Sequence, residues 1–329
     1  MRAWIVPNPQ QLGLENLKLV DVAMPYPEDD EIQVKVHAVG LNPVDYKVID
    51  SGVATWQSPH VIGIDVAGEV NRVGKAVTAF KVGDRVFYHG DLRRNGSLAQ
   101  YTTTLAASVA HLPQALSYEQ GAAILCANLT AYQALYRKVN MTNVHSVLIH
   151  AGGGAVGLAA LQLVKALGLQ TIATTSARKR VLVEKIGADT IIDYHQEDVT
   201  AAVLEATDGR GVDVSLNTVG GDELAADTAR MAYNGQIVAI GDGYPEHVEL
   251  DERALGLIRS GLGGVYRSND DYQIHDLAVM AAAVAQLVID GQLDPMIGDV
   301  VPFDQTVVAL TALKNGETTG KTVVQIIGE

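Results

Sequence analysis

The chain has 329 residues, of which 48 % are hydrophobic, and its formal net charge is −14. That length allows two domains of ordinary size, and the hydrophobic fraction allows a sizeable core. The negative charge argues against nucleic acid or anionic membrane as the main partner, and the single cysteine, Cys126, excludes a disulfide within the chain.

Short β-like runs, broken by glycine, proline, asparagine and aspartate, fill the first third of the chain. They are EIQVKVHAVG (31–40), VIGIDVAGEVNRVG (61–74), DRVFYHGD (84–91) and SLAQYTTT (97–104). Frequent turn signals between short strands predict a barrel-like β domain over residues 1–120. No charged-then-apolar leader occurs in MRAWIVPNPQ, so we expect a cytoplasmic protein.

From about residue 121, strand-like and helix-like runs alternate. The predicted strands are VLIHA (147–151), TIATTS (171–176), TIIDY (190–194), VDVSLNTVG (212–220), QIVAIG (236–241) and GLGGVYRS (261–268). The predicted helices follow the glycine turn at 152–157 and lie at 177–187, 197–209 and 222–235. This alternation predicts βαβ units and a mainly parallel sheet over residues 121–270.

In the tail, residues 271–329, the sequence predicts a helix near Leu277 to Ile289 and a closing strand, TVVQII (322–327). We expect this tail to return to the first domain. The uncharged part of the helix, 279–289, holds too few residues to span a bilayer, which favours a buried helix.

The turn after VLIHA carries three glycines and the spacing Gly152-x-Gly154-x-x-Gly157. Glycine permits a tight turn and lets a pyrophosphate approach the main chain. A helix that starts near Ala155 would direct its free N–H groups, including that of Val156, toward this anion. The strand, the glycine turn and the helix together predict a dinucleotide site.

A basic segment follows the next predicted strand, where NAD-binding folds commonly place an acidic residue for the ribose hydroxyls. Here the sequence is TTSARKR, with Ser176, Arg178, Lys179 and Arg180 and no carboxylate. Cations attract a 2′-phosphate, which a carboxylate would repel. A solvated basic turn is the alternative interpretation. We predict NADPH as the cofactor.

Several motifs in this order resemble the medium-chain dehydrogenase/reductase superfamily. They are GLNPVDYKVIDSG (40–52), GIDVAGEVNRVG (63–74), VGDRVF (82–87), the AGGGAVG turn (151–157) and GKTVVQI (320–326). The branch that the chain resembles most is that of zinc-independent quinone oxidoreductases and NADPH-dependent enone reductases. The resemblance implies a GroES-like β-barrel catalytic domain, a Rossmann doubly wound parallel sheet, and a homodimer.

The resemblance also implies cofactor contacts. A lysine and a tyrosine that match Lys179 and Tyr194 hold the 2′-phosphate in this branch. Thr130 and the loops that begin at Asn217 and Gly241, the second running to residue 243, are further cofactor candidates. By itself, the composition around Tyr194 would indicate a strand residue and nothing more.

Zinc-dependent members of the superfamily bind their catalytic metal through two cysteines and a histidine. The matching positions here are Asn42, Ile64 and Cys126, and Asp65 follows Ile64. A catalytic zinc needs about three protein ligands, and isoleucine cannot be one. The four clustered cysteines of a structural zinc lobe are absent from the sequence. The expectation is that the protein binds no metal and that Cys126 is a small buried residue.

Without a metal, hydrogen-bond donors must stabilise the negative charge that develops on a substrate oxygen. The candidates are Asn42, Tyr46 and Lys47, from NPVDYK. The alternative interpretation is that Asn42 belongs to an ordinary turn and that Lys47 is a solvated surface residue. His89 could relay a proton, although a lone histidine in a β domain is more often structural, and water could supply the proton.

Aromatic side chains are few, and the resemblance puts five of them at pocket walls or the nearby interface: Trp56, Phe87, Tyr88, Tyr244 and Tyr266. Aromatic walls suit flat conjugated substrates, although each ring could equally be core or rim. The leading hypothesis is NADPH-dependent reduction of a quinone or an α,β-unsaturated carbonyl. The alternatives are a metal-free aldehyde or ketone reductase and a weakly catalytic NADPH-binding sensor.

Overall fold

A computed structural model of the chain describes residues 1–8, 10–241, 243–245, 248, 250 and 252–326. It divides the chain into two compact units. The first unit contains residues 1–126, 263–290 and the tail from 295 onward, and the second contains residues 127–262 and 291–294. The prediction placed the boundaries after residues 120 and 270.

The first unit is built on two β-sheets, and most of its strands pair antiparallel. One sheet has the order β2-β1-β4, and the other β15-β16-β3-β5-β6-β8, with β7 also paired to β3. The strands are β1 (Arg2–Val6), β2 (Lys18–Asp21), β3 (Glu31–Gly40), β4 (His60–Val61), β5 (Asp65–Val73), β6 (Arg85–His89), β7 (Tyr101–Leu105), β8 (Ala110–His111), β15 (Ile297–Pro302) and β16 (Lys321–Gln325).

Helices α1 (Pro43–Ser51), α2 (Tyr118–Ala123), α8 (Asp271–Ile289) and α9 (Thr306–Lys314) complete the first unit. Its core is apolar because alternate residues of the paired strands point inward. The fully buried side chains include Ile32, Val34 and Val36 on β3 and Val86 on β6. The tail strand β16 pairs with β3, so the tail returns to this unit as expected.

Helix α8 is longer than predicted, because it begins at Asp271, where Asp270 caps its first N–H groups. Its 19 residues meet the minimum length and apolar content of a membrane span, so the length argument for a buried helix was wrong. The helix packs on β6 and β8 and buries residues such as Leu277, Ala281 and Val284. Those contacts are the pattern of a core helix.

The second unit is a six-stranded, fully parallel sheet with the order β11-β10-β9-β12-β13-β14. The strands are β9 (Ser146–Ile149), β10 (Gln170–Thr175), β11 (Thr190–Asp193), β12 (Val212–Asn217), β13 (Met231–Ile240) and β14 (Gly256–Ser260). The order reverses at β9, as in doubly wound dinucleotide folds, which confirms the predicted fold class.

The helices of the second unit are α3 (Cys126–Gln133), α4 (Ala155–Ala166), α5 (Arg180–Ile186), α6 (Val199–Ala206) and α7 (Gly221–Ala226). Two predicted elements were wrong. Residues 231–235, predicted as helix, begin strand β13, where Asn234 adopts a positive φ of 62°. The sixth strand is Gly256–Ser260, and residues 262–267 of GLGGVYRS form a 3₁₀ helix.

Candidate functional site

The predicted cofactor residues of the second unit gather at one edge of its sheet. Gly152, Ser176, Tyr194, Asn217 and Gly241 each lie at or just beyond the carboxyl end of a different parallel strand. Ligands of doubly wound sheets bind outside these carboxyl ends, next to the point where the strand order reverses. The structure therefore brings together residues that lie up to 89 positions apart in the sequence.

The glycine turn between β9 and α4 is packed so tightly that it has no room for side chains. A Cβ atom on Gly157 would lie 2.5 Å from the Ala151 carbonyl oxygen, and one on Gly153 would lie 2.5 Å from Lys179 Cβ. Helix α4 begins at Ala155 with Gly154 as its N-cap, so its first N–H groups face outward from the turn. A pyrophosphate fits such a turn.

Lys179 beside this turn and its neighbour Arg178 are without counter-charges in the part of the chain that the structure describes. Among the residues that the structure describes, neither Lys179 Nζ nor the Arg178 guanidinium has a hydrogen-bond or ion-pair partner. Burial, and secondarily the charge of Arg178, lowers the pKa of Lys179. Arg180 is different, because its Nε donates to Glu184 at 2.9 Å. Lys179 and Arg178 thus remain able to bind an anion.

The other predicted cofactor residues are placed as follows. Tyr194 lies one residue beyond β11 and is 47 % exposed, while Thr130 is buried in α3. Gly241 follows β13 with a φ of 91°, which favours glycine. Residue 242, the middle of the predicted loop 241–243, lies outside the described residues.

A buried carboxylate that sequence reasoning missed holds the loops of this edge in place. Asp227 accepts from Ser215 Oγ at 2.7 Å and Asn217 Nδ2 at 2.9 Å, and lies 2.8 Å from His150 Nε2. Arg230 donates to it at 3.0 Å. Burial alone would raise the pKa of Asp227, but His150 and the other donors hold it below its usual range.

Asn217 connects this network to the loop after β12. Its Oδ1 accepts from the backbone N–H groups of Val219 and Gly220, at 3.0 and 2.9 Å. Because its Nδ2 binds the fixed carboxylate, the amide has one orientation only. No sequence pattern indicates this network, since Asp227 lies within an ordinary helix-like stretch.

In the first unit, strand register assembles a second polar cluster. Asp65 on β5 lies opposite Gly40 on β3 and opposite His89 on β6. Strand β16 pairs on the other side of β3, with Val323 opposite Gly40, so Lys321 arrives two residues beyond. A Cβ on Gly40 would lie 2.4 Å from the Ala122 carbonyl oxygen and 2.8 Å from Lys321 Cε, so the backbone of α2 requires glycine there and the lysine stem passes through the same space.

The Asp65 carboxylate is fully buried and its oxygens are saturated with donors. Oδ1 lies 2.8 Å from His89 Nδ1, and Oδ2 accepts from Asn42 Nδ2 at 2.8 Å and Lys321 Nζ at 3.1 Å. The Cys126 backbone N–H lies 3.0–3.1 Å from both oxygens. Burial alone would raise the pKa of Asp65, but the Lys321 charge and the hydrogen bonds hold it below its usual range.

Of the three predicted charge-stabilising residues, the structure brings only Asn42 into this cluster. Its Nδ2 donates to Asp65 and to the Gly40 carbonyl, and its Oδ1 accepts from Lys321 at 2.6 Å. Tyr46 is half-buried against the apolar core, and Lys47 is exposed. Both amide hydrogens of Asn42 are therefore engaged within the protein.

Asp45, in the first turn of α1, is a second buried carboxylate near this cluster. Its Oδ2 accepts from the Asn42 N–H at 2.7 Å, and its Oδ1 has no hydrogen-bond partner among the described residues. Burial is the largest cause that raises its pKa to about 7, and the charge of Asp65 acts in the same direction. Near neutral pH, this side chain exists in both protonation states.

The residues of the first unit do not fit a zinc ion as they stand. Asp65, His89 and Cys126 offer ligand atoms that all lie within 4.8 Å of one another, a different set from the predicted positions Asn42, Ile64 and Cys126. The ammonium of Lys321 already lies against the same carboxylate. Burial also raises the pKa of the Cys126 thiol, whereas zinc binds a thiolate.

The aromatic residues predicted to line a pocket are mostly core. Phe87, Tyr88 and Tyr266 are buried in the first unit, where Tyr266 donates to the His89 carbonyl. Trp56 is half-buried and stacks on His60, and Tyr244 is 37 % exposed. The burial of these three rings fits the alternative interpretation as core, and the placement of the five rings at pocket walls stays a prediction.

Comparisons with known proteins agree with this architecture. A family model described as "Alcohol dehydrogenase GroES-like domain" matches residues 28–114, and one described as "Zinc-binding dehydrogenase" matches residues 186–324. The Sus scrofa quinone oxidoreductase is 33 % identical over 299 residues, which are 89 % of this chain and 88 % of that protein.

Solved structures of quinone oxidoreductases are also similar to this chain. A quinone oxidoreductase of Pseudomonas syringae has a TM-score of 0.87 at 29 % identity, and the match covers 99 % of both chains. The Escherichia coli quinone oxidoreductase complexed with NADPH has a TM-score of 0.85 at 28 % identity, covering 99 % of this chain and 100 % of that one.

Proposed function

This chain belongs to the quinone oxidoreductase branch of the medium-chain dehydrogenase/reductase superfamily, and from that premise we propose that it is an NADPH-dependent reductase of quinones or α,β-unsaturated carbonyl compounds. The family makes the chain an oxidoreductase. The choice of NADPH and of conjugated acceptors is our proposal.

One observation carries the choice of NADPH: Lys179 packs against Gly153 of the glycine turn, and its ammonium has no counter-charge among the described residues. The exposed guanidinium of Arg178 adds a second cation, and the segment between β10 and α5 contains no carboxylate. A phosphate on the adenine ribose would satisfy both cations. A ribose with free hydroxyls would leave them unpaired.

The residues that would hold the coenzyme are those of the turn and the strand ends. The pyrophosphate would lie against Gly152 and Gly154 of the turn and bind the N–H groups of Ala155, Val156 and Gly157, because the Gly154 N–H already donates to the Ala151 carbonyl at 2.8 Å. The 2′-phosphate would bind Ser176, Arg178, Lys179 and Tyr194. Thr130 and Gly241 are the proposed contacts toward the nicotinamide end. When bound, the reduced coenzyme supplies the hydride.

The polar residues of the first unit favour conjugated acceptors. Hydride addition to a simple ketone leaves an alkoxide, which is a strong base and needs a metal or a good proton donor. Hydride addition to a quinone or an enone spreads the negative charge over a conjugated system. The resulting anion is a weaker base than an alkoxide, and water can protonate it. Both amide hydrogens of Asn42 are already engaged, and Lys47 is exposed to solvent. Acceptors whose product anion needs little stabilisation by the protein therefore suit this chain better.

A panel assay tests the proposal. We expect NADPH oxidation with a quinone and an enone, and much slower oxidation with an aldehyde. Turnover of the aldehyde alone would favour the metal-free carbonyl reductase. Micromolar NADPH binding without hydride transfer to any acceptor would favour the sensor. Either result would end the proposal for conjugated acceptors.

A pair of lysine variants tests the coenzyme. We expect K179M to raise the KM for NADPH by about 10- to 100-fold and to leave the KM for NADH unchanged, because only the 2′-phosphate contact is removed. Lys185 is an exposed lysine of the neighbouring helix α5, so K185M is the matched control. Equal catalytic efficiency of the wild type with NADH would contradict the choice of NADPH.

We also propose that the protein is a cytoplasmic homodimer, as the resemblance implies. The chain has a mass of 34.9 kDa, so light scattering should give about twice that value. A mass of one chain at micromolar concentration would contradict the dimer.

A further inference from the structure

We propose that the Lys321 ammonium is the built-in cation of the Asp65–His89–Cys126 group, and that it closes this group to divalent metal ions. A family model named for zinc binding matches residues 186–324, which include Lys321 but none of the other three residues. The mismatch between this group and zinc follows from the side chains themselves. The proposal concerns the first unit alone and does not depend on the coenzyme or the substrate.

The three side chains form a ligand set that would otherwise suit a metal. A carboxylate oxygen, an imidazole nitrogen and a sulfur all lie within 4.8 Å of one another. Catalytic zinc sites commonly use three protein ligands of these types and leave a fourth position open. Asp65 and His89 are buried and Cys126 is half-buried, so little water competes for the ligand atoms.

The lysine reaches this group by passing over Gly40, which has no side chain, on the intervening strand β3. Lys321 is the first residue of β16, on the far side of β3 from Asp65. Gly40 on β3 leaves space for the lysine stem, whose Cε would lie 2.8 Å from a Cβ at that position. The ammonium then lies 3.1 Å from Asp65 Oδ2 and 2.6 Å from Asn42 Oδ1.

The position of this ammonium conflicts with a metal for two reasons. A divalent ion that shared the Asp65 carboxylate would lie within a few ångströms of a buried positive charge, where little solvent screens the repulsion. The ammonium also neutralises the negative charge of Asp65 already, so a metal ion would not be stabilised by neutralising that carboxylate. Removal of the lysine charge would reverse both conditions.

The test uses cobalt as the probe, because cobalt–thiolate bonds absorb in the near ultraviolet. Untagged wild type, K321M and K321Q are freed of metal with a chelator and then titrated with Co²⁺. We expect K321M and K321Q to bind one Co²⁺ at least about 100-fold more tightly than the wild type, with a thiolate charge-transfer band. The double variant K321M/C126S should bind more weakly and lack that band.

Lys314 provides the control, since it forms an exposed ion pair with Asp50 in the same unit. K314M should bind cobalt no better than the wild type. If K321M folds only when cobalt or zinc is present, the proposal is supported, because the metal then replaces the missing cation. Tight cobalt binding by the wild type with the same band, or folded K321M and K321Q that bind no cobalt, would overturn it.

Discussion

The two units each bury a carboxylate beside a histidine at the same distance, through Nδ1 of one imidazole and Nε2 of the other. Asp65 lies 2.8 Å from a nitrogen of His89, and Asp227 lies 2.8 Å from a nitrogen of His150. Both carboxylates are fully buried. The pairs differ in how they are assembled, because the cation of Asp65 lies 256 positions away and that of Asp227 only three.

The second carboxylate of each cluster shows what this difference teaches. In the first unit Asp45 is buried, and burial raises its pKa to about 7. In the second unit Glu223, which pairs with Arg230, keeps 32 % of its side chain exposed. Each cluster thus has one lysine or arginine for two carboxylates. The first cluster balances its excess negative charge by protonation of Asp45, and the second leaves the Glu223 carboxylate partly exposed to water.

The largest expected effect is the loss of the lysine charge in the first cluster. K321M should lower the free energy of unfolding of the first unit by about 3–5 kcal/mol, because it leaves a buried carboxylate without its cation. Both tryptophans, Trp4 and Trp56, lie in this unit, so their fluorescence during urea unfolding reports on it.

K314M serves as the comparison, because the Lys314–Asp50 pair is exposed and solvent screens it, so its loss should hardly change the urea midpoint. Equal urea midpoints for K321M and K314M would mean that the buried ammonium is no more important than a surface charge.

The next effect concerns pH and separates the two ways of balancing charge. Burial raises the pKa of Asp45 to about 7, above the ordinary value of 3.8 that it has in the unfolded chain. Its contribution to the free energy of unfolding is therefore complete below pH 3.8 and is lost as the pH rises toward 7. Between these two pH values the loss of stability should reach about 4 kcal/mol. D45N, which resembles the protonated acid, should be more stable than the wild type at pH 8 and equally stable at pH 4.

D299N is the control for this measurement, since Asp299 lies exposed on β15 of the same unit. Urea midpoints of the three proteins at pH 4, 6 and 8 give the comparison. A D45N protein that shows the same decrease with pH as the wild type would assign the pH dependence to other groups.

A smaller effect is expected in the second cluster. Four donors converge on Asp227, and an amide would turn an NH₂ group toward some of them. D227N should therefore destabilise the second unit by about 2 kcal/mol and weaken NADPH binding about 10-fold, as the loop after β12 loosens. D222N, an exposed acid on α7, is the control, with circular dichroism and coenzyme fluorescence as measurements.

The smallest effect tests the packing of the glycine turn. A Cβ at Gly153 would lie 2.5 Å from Lys179 Cβ and would displace that lysine, so G153A should raise the KM for NADPH about fivefold. A Cβ at Gly154 would have only one close neighbour, the Ala151 carbonyl oxygen at 3.2 Å. G154A should change the KM less, and the reverse order would contradict the assigned role of Lys179.

Local patterns predicted much of the second unit. Apolar runs and the glycine spacing located β9, β10, β11 and β12 and the start of α4, because each depends on residues that are close in sequence. The prediction failed at residues 231–235, where Asn234-Gly235 resembles a break between elements. In the fold, β13 continues through that dipeptide with an irregular pairing to β12.

By itself, the sequence determined the family, the two-domain plan and the dinucleotide turn, since these depend on short motifs whose chemistry is local. Only the tertiary structure decided which polar groups meet in the interior. The register of three neighbouring strands, β16, β3 and β5, brings Lys321 to Asp65, and the lysine stem passes over Gly40. Such contacts depend on pairings between distant segments, which no local periodicity encodes.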